Sequence, residues 1–291
     1  MFKSNDISTC RQRQLDQLLH NYEEISKNGS IVSARPDAIM RVIIEYFVRK
    51  SIIFDITGVS VMSGPVGIIY HLDRHGGLNN IKSYTTAATS YRLSDDKCYL
   101  IHPRDNAVLN QPHSSGARYA DGMIHELARN VTAAIESIVL MPVFYSAKFS
   151  ETLTSYNHLS NTILAAAHNI GKRCGCPGNF MLVTKDMLYH IINSNYNLFE
   201  YHENNSIAGR YVGIDVYVHH PKPNDPIRQC ILVGYKNGDV DTGAHFMSYT
   251  FIPPIGCVVT NQLDWNSIMF RGGYNVDKAS MYYELIPVKI A

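Results

Sequence analysis

The sequence predicts an α+β fold, because helices and strands are mixed in it without the regular alternation of a doubly wound sheet. Two amphipathic segments, 124–139 and 151–170, place apolar residues at three- and four-residue steps and predict long helices. Short apolar segments after residue 178 predict strands. With 291 residues, 45% of them hydrophobic, the chain can bury one large core or two modest ones.

Charge and cysteine content exclude some classes of protein. Lys plus Arg number 26 and Asp plus Glu 25, so the formal net charge of +1 gives no long-range attraction to nucleic acid or to an anionic membrane. Six cysteines without a repeating spacing are typical of free thiols in a reducing cytoplasm. Charged residues interrupt the apolar segment 39–56, and the N-terminus lacks a secretory signal, so we expect a soluble protein made inside the cell.

The first third of the chain alternates between polar and apolar stretches. Residues 1–35 are polar and predict an arm rather than a core element, with a short helix that ends at 28–30. Pro36 suits the first turn of a helix that follows it. The apolar segments 52–56 and 66–72 then predict strands.

Residues 74–119 contain little that can fill a core. The region is too long for an ordinary connection between elements, and loops of that length are usually functional or disordered. Apolar residues alternate near 98–101, which predicts a long projecting hairpin.

The second half of the chain shows clear helix boundaries. Asp121 can cap the first long helix and Pro142 should stop it, while Ser150 can cap the second and Gly171 should close it. A helix at 185–193 is capped by Thr184. Strands are expected at 179–183, 211–218, 230–234, 245–252, 256–260 and 281–290.

Two pairs of histidines lie close enough in sequence to suggest metal ligands. His71 and His75 have the four-residue spacing of helical zinc ligands, but in a strand such residues lie about 13 Å apart. His219 and His220 are adjacent and point to opposite faces of a strand. Neither pair predicts a metal site.

Two thiols stand in a basic turn. Lys172 and Arg173 could lower the pKa of Cys174 or Cys176. A redox pair is normally Cys-x-x-Cys at a helix start, whereas here a Pro-Gly turn follows, so a structural turn with two incidental thiols is favoured.

The remaining loops carry no chemical motif. Residues 171–173 lack the upstream glycine of a phosphate-binding loop. Residues 237–243 suggest a calcium loop, but the closing Glu is missing and a hairpin turn fits better. We therefore predict no catalytic, cofactor-binding or metal-binding residues, and no cofactor.

An ordered set of segments resembles the major head proteins of T-even-type bacteriophages. The set comprises 55–59 (DITGV), 61–69 (VMSGPVGII), 126–138, 157–173, 178–186 (GNFMLVTKD), 209–211 (GRY), 216–218 (VYV), 231–236 (ILVGYK), 241–246 (DTGAHF) and 249–254 (YTFIPP). The resemblance covers about residues 38–275. The chain is shorter than the T-even proteins and has no segment for their inserted domain.

The resemblance implies the Hong Kong 97 type of capsid subunit. Its parts would be an N-terminal arm (1–58), an extended E-loop region (59–118), a peripheral domain with a long spine helix (119–142 and 262–291) and an axial domain (143–261). The implied function is a structural major capsid protein, not an enzyme, that self-assembles into hexamers, with pentamers left open, of an icosahedral head around viral DNA. The implied location is the virion, assembled in the host bacterial cytoplasm.

The implied partners are further copies of the chain, a scaffold, a portal, optional decoration proteins and the packaged DNA, bound without sequence specificity; no membrane is implied. An encapsulin-type nanocompartment shell is an alternative with the same fold. A metal- or thiol-dependent enzyme using His71, His75, Cys174 or Cys176 is the alternative from another class.

Overall fold

The structure, a computed structural model, describes residues 9–28, 34–64, 66–72, 81–87, 89–92, 100–101, 115–194, 196–201, 207–220, 226–252, 263–264 and 268–289. Its helices are α1 (Thr9–Asn28), α2 (Ala34–Lys50), α3 (Ile53–Ile56), α4 (Ser115–Ser146), α5 (Leu159–Cys174), α6 (Lys185–Ser194) and α7 (Ala279–Tyr282). Short 3₁₀ helices cover Tyr156–His158, Tyr196–Leu198 and Pro226–Gln229.

The strands in the first half are β1 (Gly58–Val61), β2 (Val66–Leu72), β3 (Ile81–Ala87), β4 (Thr89–Arg92), β5 (Leu100–Ile101) and β6 (Lys148–Phe149). The strands in the second half are β7 (Phe180–Thr184), β8 (Phe199–Tyr201), β9 (Gly209–Tyr211), β10 (Ile214–His219), β11 (Cys230–Gly234), β12 (Lys236–Asn237), β13 (Asp241–Thr242), β14 (His245–Ile252), β15 (Leu263–Asp264), β16 (Met269–Asn275) and β17 (Tyr283–Pro287). This mixture confirms the predicted α+β class.

A seven-stranded mixed sheet has the order β6-β17-β11-β7-β10-β9-β8. β7 lies in its middle, parallel to β10 and antiparallel to β11, and all five of its residues are buried. A strand covered on both faces reads as a continuous apolar run, which is why the sequence predicted this strand well. Helices α5 and α6 pack against the sheet. We call the buried residues around it the sheet core; they include Ile163, Ile170, Met181, Leu182, Val216, Leu232 and Ile286.

A second sheet has the order β1-β14-β16-β4 and packs against α1, α2 and α4. The ring of Phe47 on α2 lies at the centre of this second core, which we call the aromatic core. Its ring centroid is 5.4–6.4 Å from those of four other aromatic residues, namely Phe54, Phe246, Phe251 and Phe270. Edge-to-face and tilted geometries of this kind stabilise aromatic clusters beyond the area they bury.

Helix α4 joins the two cores. Residues such as Val131 and Ile135 belong to the aromatic core, and Val143 and Phe144 belong to the sheet core. The predicted limits are wrong at both ends, because the helix begins at Ser115 and continues past Pro142 to Ser146. An internal proline costs about 3 kcal/mol. Burial of the apolar side chains beyond it is of similar or greater size, about 1.5–3 kcal/mol for each large residue, so the helix continues.

Helix α1 contributes to the aromatic core. Leu15, Leu18 and Tyr22 recur at helical spacing on one face and are buried. The amide of Asn21 donates to the carbonyls of Met62 and Tyr249, at 2.6 and 2.7 Å. The prediction of an arm without core residues is therefore wrong for residues 9–28, because three well-placed apolar side chains are enough to dock an otherwise polar helix.

The segment predicted as a strand at 52–56 forms helix α3 instead. The Ser51 hydroxyl accepts a hydrogen bond from the amide of Ile53, and the Thr57 hydroxyl donates to the carbonyl of Ile53. A short apolar run does not distinguish a buried strand from a buried helical turn, so the side-chain hydrogen bonds and the packing decide.

The helix predicted from residue 151 begins later and ends later. Residues 151–155 extend along the sheet edge, where the amide of Leu153 donates to Pro287 and its carbonyl accepts from Lys289. Ser155 caps the short 3₁₀ turn that precedes α5, and Gly175, with a φ of 86°, caps its C-terminus in place of Gly171. Left-handed backbone of this kind favours glycine at a helix end.

Two predicted strands are divided differently. The run 211–218 contains a tight turn, because Val212 and Gly213 have φ values of 48° and 82° and reverse the chain between β9 and β10. The run 281–290 begins as α7 before β17 starts. The strands expected at 230–234 and 245–252 are confirmed at those limits, whereas 256–260 lies outside the described residues.

The region 74–119 is more structured than its composition indicated. β4 pairs with β16 as the outer strand of the four-stranded sheet, and β5 pairs with β15. Residues from 115 onward already belong to α4. Hydrogen bonding to distant strands therefore orders segments that have few apolar residues of their own.

Candidate assembly surfaces

The hairpin of β2 and β3 forms a two-stranded sheet separate from the two larger ones. Its register runs from the pair Val66–Ala87 to the pair Leu72–Ile81. Its main contacts outside itself are with β13 and β16. At its base a Cβ on Gly67 would lie 2.4 Å from the sulfur of Met62, so a larger residue there would displace the Met62 side chain. The hairpin joins the strand predicted at 66–72 to residues 81–87. The hairpin predicted from the alternation near 98–101 is not formed there, because β5 pairs with β15 and β4 with β16.

The seven-stranded sheet ends in two short strands, β6 and β8. Each carries a large aromatic side chain at the surface: Phe149 is 65% exposed and Tyr201 is 62% exposed. Tyr145 and Tyr189 are also largely exposed. Outer strands and exposed aromatic side chains are the features with which protein surfaces associate.

A buried lysine fixes helix α3 to the hairpin of β12 and β13. The Lys236 ammonium donates to the carbonyls of Phe54 and Thr57 at 2.6 and 2.5 Å, and it lies 3.8 Å from a carboxylate oxygen of Asp239. Burial lowers the pKa of Lys236, and Asp239 opposes that effect. Charge-assisted bonds to carbonyls at a helix end are favourable because that end carries partial negative charge.

Arg11 extends this attachment to helix α1. Its guanidinium lies 2.9 Å from a carboxylate oxygen of Asp55 and stacks over the ring of Phe54 at 5.2 Å. Burial raises the pKa of Asp55, while Arg11 acts in the opposite direction. Sequence reasoning missed Arg11 and Lys236, because their hydrogen-bond partners lie between 40 and 182 residues away in the chain and only Asp239 is near Lys236 in sequence.

The hydroxyl of Tyr283 connects the sheet core to the segment that leads into the aromatic core. It donates to the carbonyl of Ile56 at 3.0 Å, accepts from the amide of Ala244 at 3.1 Å and lies 2.8 Å from the hydroxyl of Thr242. Burial raises its pKa well above the ordinary value, so the phenol stays neutral and serves as a hydrogen-bonding junction.

The carboxylate of Glu136 on α4 caps the start of α3. It accepts a hydrogen bond from the amide of Ile52 at 2.9 Å. Burial raises the pKa of Glu136 to about 7, although the hydrogen bonds from Ile52 and Ser51 oppose that rise. The helical pattern of the sequence placed Glu136 on the polar face and gave no signal for this contact.

The histidines considered as metal ligands are placed as follows. His71 lies in β2, and His75 falls outside the described residues. His219 is buried beside the ring of Phe144, at 5.5 Å, and burial lowers its pKa to about 4; His220 is exposed. In the part of the chain that the structure describes, no group of three or more His, Cys, Asp or Glu side chains could hold a metal ion.

Cys174 and Cys176 form no disulfide and lie at the end of α5 and in the turn after it. Cys174 belongs to the sheet core, and its sulfur lies 3.2 Å from the carbonyl oxygen of Cys176. Arg173 binds Glu284 on β17 at 2.9 Å. The basic residue of the predicted turn therefore ties α5 to the sheet.

Residues 237–243 form a hairpin, as predicted. β12 pairs with β13 through Lys236–Thr242 and Asn237–Asp241, and Gly238 has a φ of 71°. The carboxylate of Asp241 is buried between the hydroxyls of Tyr235 and Tyr282, at 3.4 and 3.2 Å. Both of its carboxylate oxygens therefore take part in hydrogen bonds inside the protein.

Among the described residues, one stretch, Ile124–Ser146 within α4, is long and apolar enough to cross a membrane by length and composition. Half of it is buried inside the protein, which is also typical of the core helix of a soluble protein. The packing of α4 in both cores accounts for its apolar character.

Comparison with known proteins gives structural relatives only. No protein-family model matches the sequence, and no curated protein is similar to it. A virus-like particle from Pyrococcus furiosus superposes with a TM-score of 0.51 at 11% identity, covering 85% of this chain and 97% of that one. A protein of Mycobacterium phage Adephagia gives 0.47 at 9% identity, covering 83% and 91%. An encapsulin from Synechococcus elongatus gives 0.47 at 9% identity, covering 80% and 85%.

The chain has the Hong Kong 97 type of capsid fold. The shared fold extends over nearly the whole length of the archaeal protein. It confirms the fold implied by the sequence resemblance. At these identities the likeness shows the fold alone, so it assigns no role to individual residues.

Proposed function

We propose that this protein is a shell-forming structural protein, and more specifically the major capsid protein of a tailed bacteriophage. The observation that carries the proposal is the fold shared with a virus-like particle over 85% of this chain. The hairpin of β2 and β3, which forms a sheet of its own, together with the exposed aromatic residues on both outer strands of the large sheet, supports association between copies. We propose no catalytic function.

In this proposal the chain divides as its sequence implies. Residues 1–58 are the N-terminal arm region, of which α1 and α2 pack into the aromatic core, and 59–118 are the E-loop region. The peripheral domain is 119–142 with 262–291, and the axial domain is 143–261. The ordered sequence motifs support the T-even type of head protein within this fold.

The proposed partners are other copies of the chain, in hexamers with pentamers left open, together with a scaffold, a portal and optional decoration proteins. The packaged DNA is contacted without sequence specificity, in keeping with the balanced charge of the chain. The proposed location is the virion, after assembly in the bacterial cytoplasm. Each contact between copies can be weak, because many simultaneous contacts per subunit stabilise a shell through effective concentration.

The proposal is tested first by the size of the purified protein. Negative-stain electron microscopy and light scattering should show shells, tubes or capsomers far larger than the 32.8 kDa chain. Monomers at high concentration, with and without a scaffold protein, would contradict a shell-forming role. Terminase and portal genes beside the coding gene, and DNA inside the particles, would favour the phage capsid; enzyme cargo inside them would favour the encapsulin alternative.

The hairpin of β2 and β3 allows a sharper test. The Ile68–Thr85 pair can be closed directly by an Asn-Gly turn in place of residues 69–84, because a two-residue turn keeps the strand register. This variant leaves β4 and its pairing with β16 intact. We expect unchanged helix content by circular dichroism and failure to form closed shells.

The matched control is Val240→Ser in the hairpin of β12 and β13, where Val240 is 42% exposed. It should assemble normally. If the shortened variant forms normal shells, the hairpin is not needed for contacts between subunits. If the shortened variant is unfolded, the hairpin is part of the folded core.

A further inference from the structure

A cleft of about 420 Å³ lies where the two cores meet. Its walls come from three parts of the chain: the end of α2 with Ile52, one face of α4, and the strands β9 and β10 with the residues that flank them. Clefts of a few hundred cubic ångströms at the junction of two packed units are where proteins commonly bind small molecules.

Three basic side chains line this cleft. Lys50 comes from α2, Arg129 from α4 and His220 from the end of β10. Arg129 also pairs with Glu126, at the surface. Partial burial lowers the pKa of His220, and the positive charges of Arg129 and Lys185 lower it further, so the imidazole serves mainly as a hydrogen-bond donor beside Lys50 and Arg129.

A polar atom with no partner also lines the cleft. Thr132 is only 5% exposed, and its hydroxyl oxygen is buried without a hydrogen-bond partner among the described residues. A buried hydroxyl in that state costs free energy unless something bonds to it. It can donate to an oxyanion that is held by the neighbouring cations.

The rest of the cleft is apolar. Ile52, Ile207 and Val218 line it, together with small alanine side chains. The volume exceeds what a bare oxyanion would occupy, so there is room for an apolar body beside the charged group. The carboxyl of Glu136 is also in the wall, where it is occupied with the amide of Ile52.

We infer that this cleft binds a small organic anion, with its phosphate or carboxylate group on Lys50, Arg129, Thr132 and His220 and its apolar body against Ile52, Ile207 and Val218. This site is separate from shell formation and does not depend on it. Above pH 7, where its carboxyl is ionised, Glu136 places a negative charge in the same cleft and opposes the ligand, so its removal should strengthen binding at that pH.

The test is equilibrium dialysis of the full-length protein, assembled and unassembled, with sulfate and with phenyl phosphate as probes. We expect saturable binding of one probe per chain, with phenyl phosphate binding more tightly than sulfate because its ring reaches the apolar wall. Arg129→Gln and His220→Gln should each weaken binding about tenfold, the size expected for one charge-assisted hydrogen bond. Thr132→Val should weaken it severalfold, and Glu136→Gln should strengthen it above pH 7.

The matched control is Arg228→Gln, which removes an exposed positive charge outside the cleft and should leave binding unchanged. Non-saturable binding, or an equal loss in Arg228→Gln, would show general charge attraction and overturn the site. If sulfate binds as tightly as phenyl phosphate, the apolar wall of the cleft does not contact the ligand, and that part of the inference is wrong. No binding to either form of the protein would overturn the inference as a whole.

Discussion

The sheet core and the aromatic core are built in different ways from the same chain. Most residues of the sheet core lie between 140 and 288, and its central strands are short apolar runs. The aromatic core gathers residues from α1, α2, α4, β14 and β16, so that Leu15 and Phe270 share one cluster. The first core follows from local patterns, while the second requires segments from both ends of the chain to meet.

Polar contacts of a few side chains connect the two cores. Lys236 and Arg11 fix α1 and α3 to the hairpin of β12 and β13, and Tyr283 reaches the carbonyl of Ile56. Helix α4 runs through both. Because the connections are hydrogen-bonded and buried, we expect the cores to unfold together rather than as independent units.

The largest expected change in stability comes from Phe47→Ala, which also tests whether the two cores unfold together. The change removes the ring that contacts four other aromatic residues and leaves a cavity, so the free energy of unfolding should fall by about 3–5 kcal/mol. Urea denaturation followed by circular dichroism measures it, with Leu198→Ala at an exposed site as the control. A transition that remains single supports coupled cores, and a second transition would separate them.

The second prediction concerns Glu136 and pH. Its pKa is raised in the folded state from 4.5 to about 7, so the folded protein holds its proton over a range in which the unfolded chain has lost it. Stability from this group is therefore greatest below pH 4.5, falls between pH 4.5 and 7, and is constant above, for a loss of about 3 kcal/mol.

Comparison with Glu136→Gln isolates this effect. The amide side chain keeps an acceptor for Ile52 and has no charge to bury, so the fall between pH 4.5 and 7 should be missing from the variant. Denaturation midpoints at several pH values measure the difference. Parallel pH profiles for the two proteins would show that the Glu136 carboxyl is not buried as described.

The third prediction tests the hydroxyl of Tyr283. Tyr283→Phe keeps the ring and leaves the amide of Ala244 and the carbonyl of Ile56 without this partner, at a cost of about 1–3 kcal/mol. Tyr189→Phe, at a ring that is 65% exposed, should be neutral. If the two variants are equally stable, the hydroxyl of Tyr283 does not contribute to the connection between the cores.

The smallest effect is expected at the thiols. Cys176→Ser should change stability by less than about 0.5 kcal/mol and leave particles intact, because the residue is only partly buried at a turn. Cys174→Ser should cost about 1 kcal/mol, since it places a hydroxyl in the sheet core, where the carbonyl of Cys176 can accept its hydrogen bond. A disulfide between them, seen by mass spectrometry in particles, would contradict the structural assignment.

Local patterns in the sequence determined much of this protein. The strands β11 and β14 have their predicted limits, and Thr184 caps α6 as expected, with its hydroxyl 3.3 Å from the amide of Met187. The order of the family-like motifs also predicted the capsid fold. The strand limits and the cap depend on the spacing of apolar residues and on side chains within a few positions, which the sequence displays directly, whereas the capsid fold was implied by the family resemblance.

Only the tertiary structure decided the rest. Helix α1 joined a core although its segment is polar, residues 53–56 became helical, and α4 passed through Pro142 because apolar side chains beyond it are buried. Lys236 and the cleft beside Glu136 depend on groups brought together from distant parts of the chain. These features are stabilised by contacts that exist only after folding, so a short window of sequence cannot predict them.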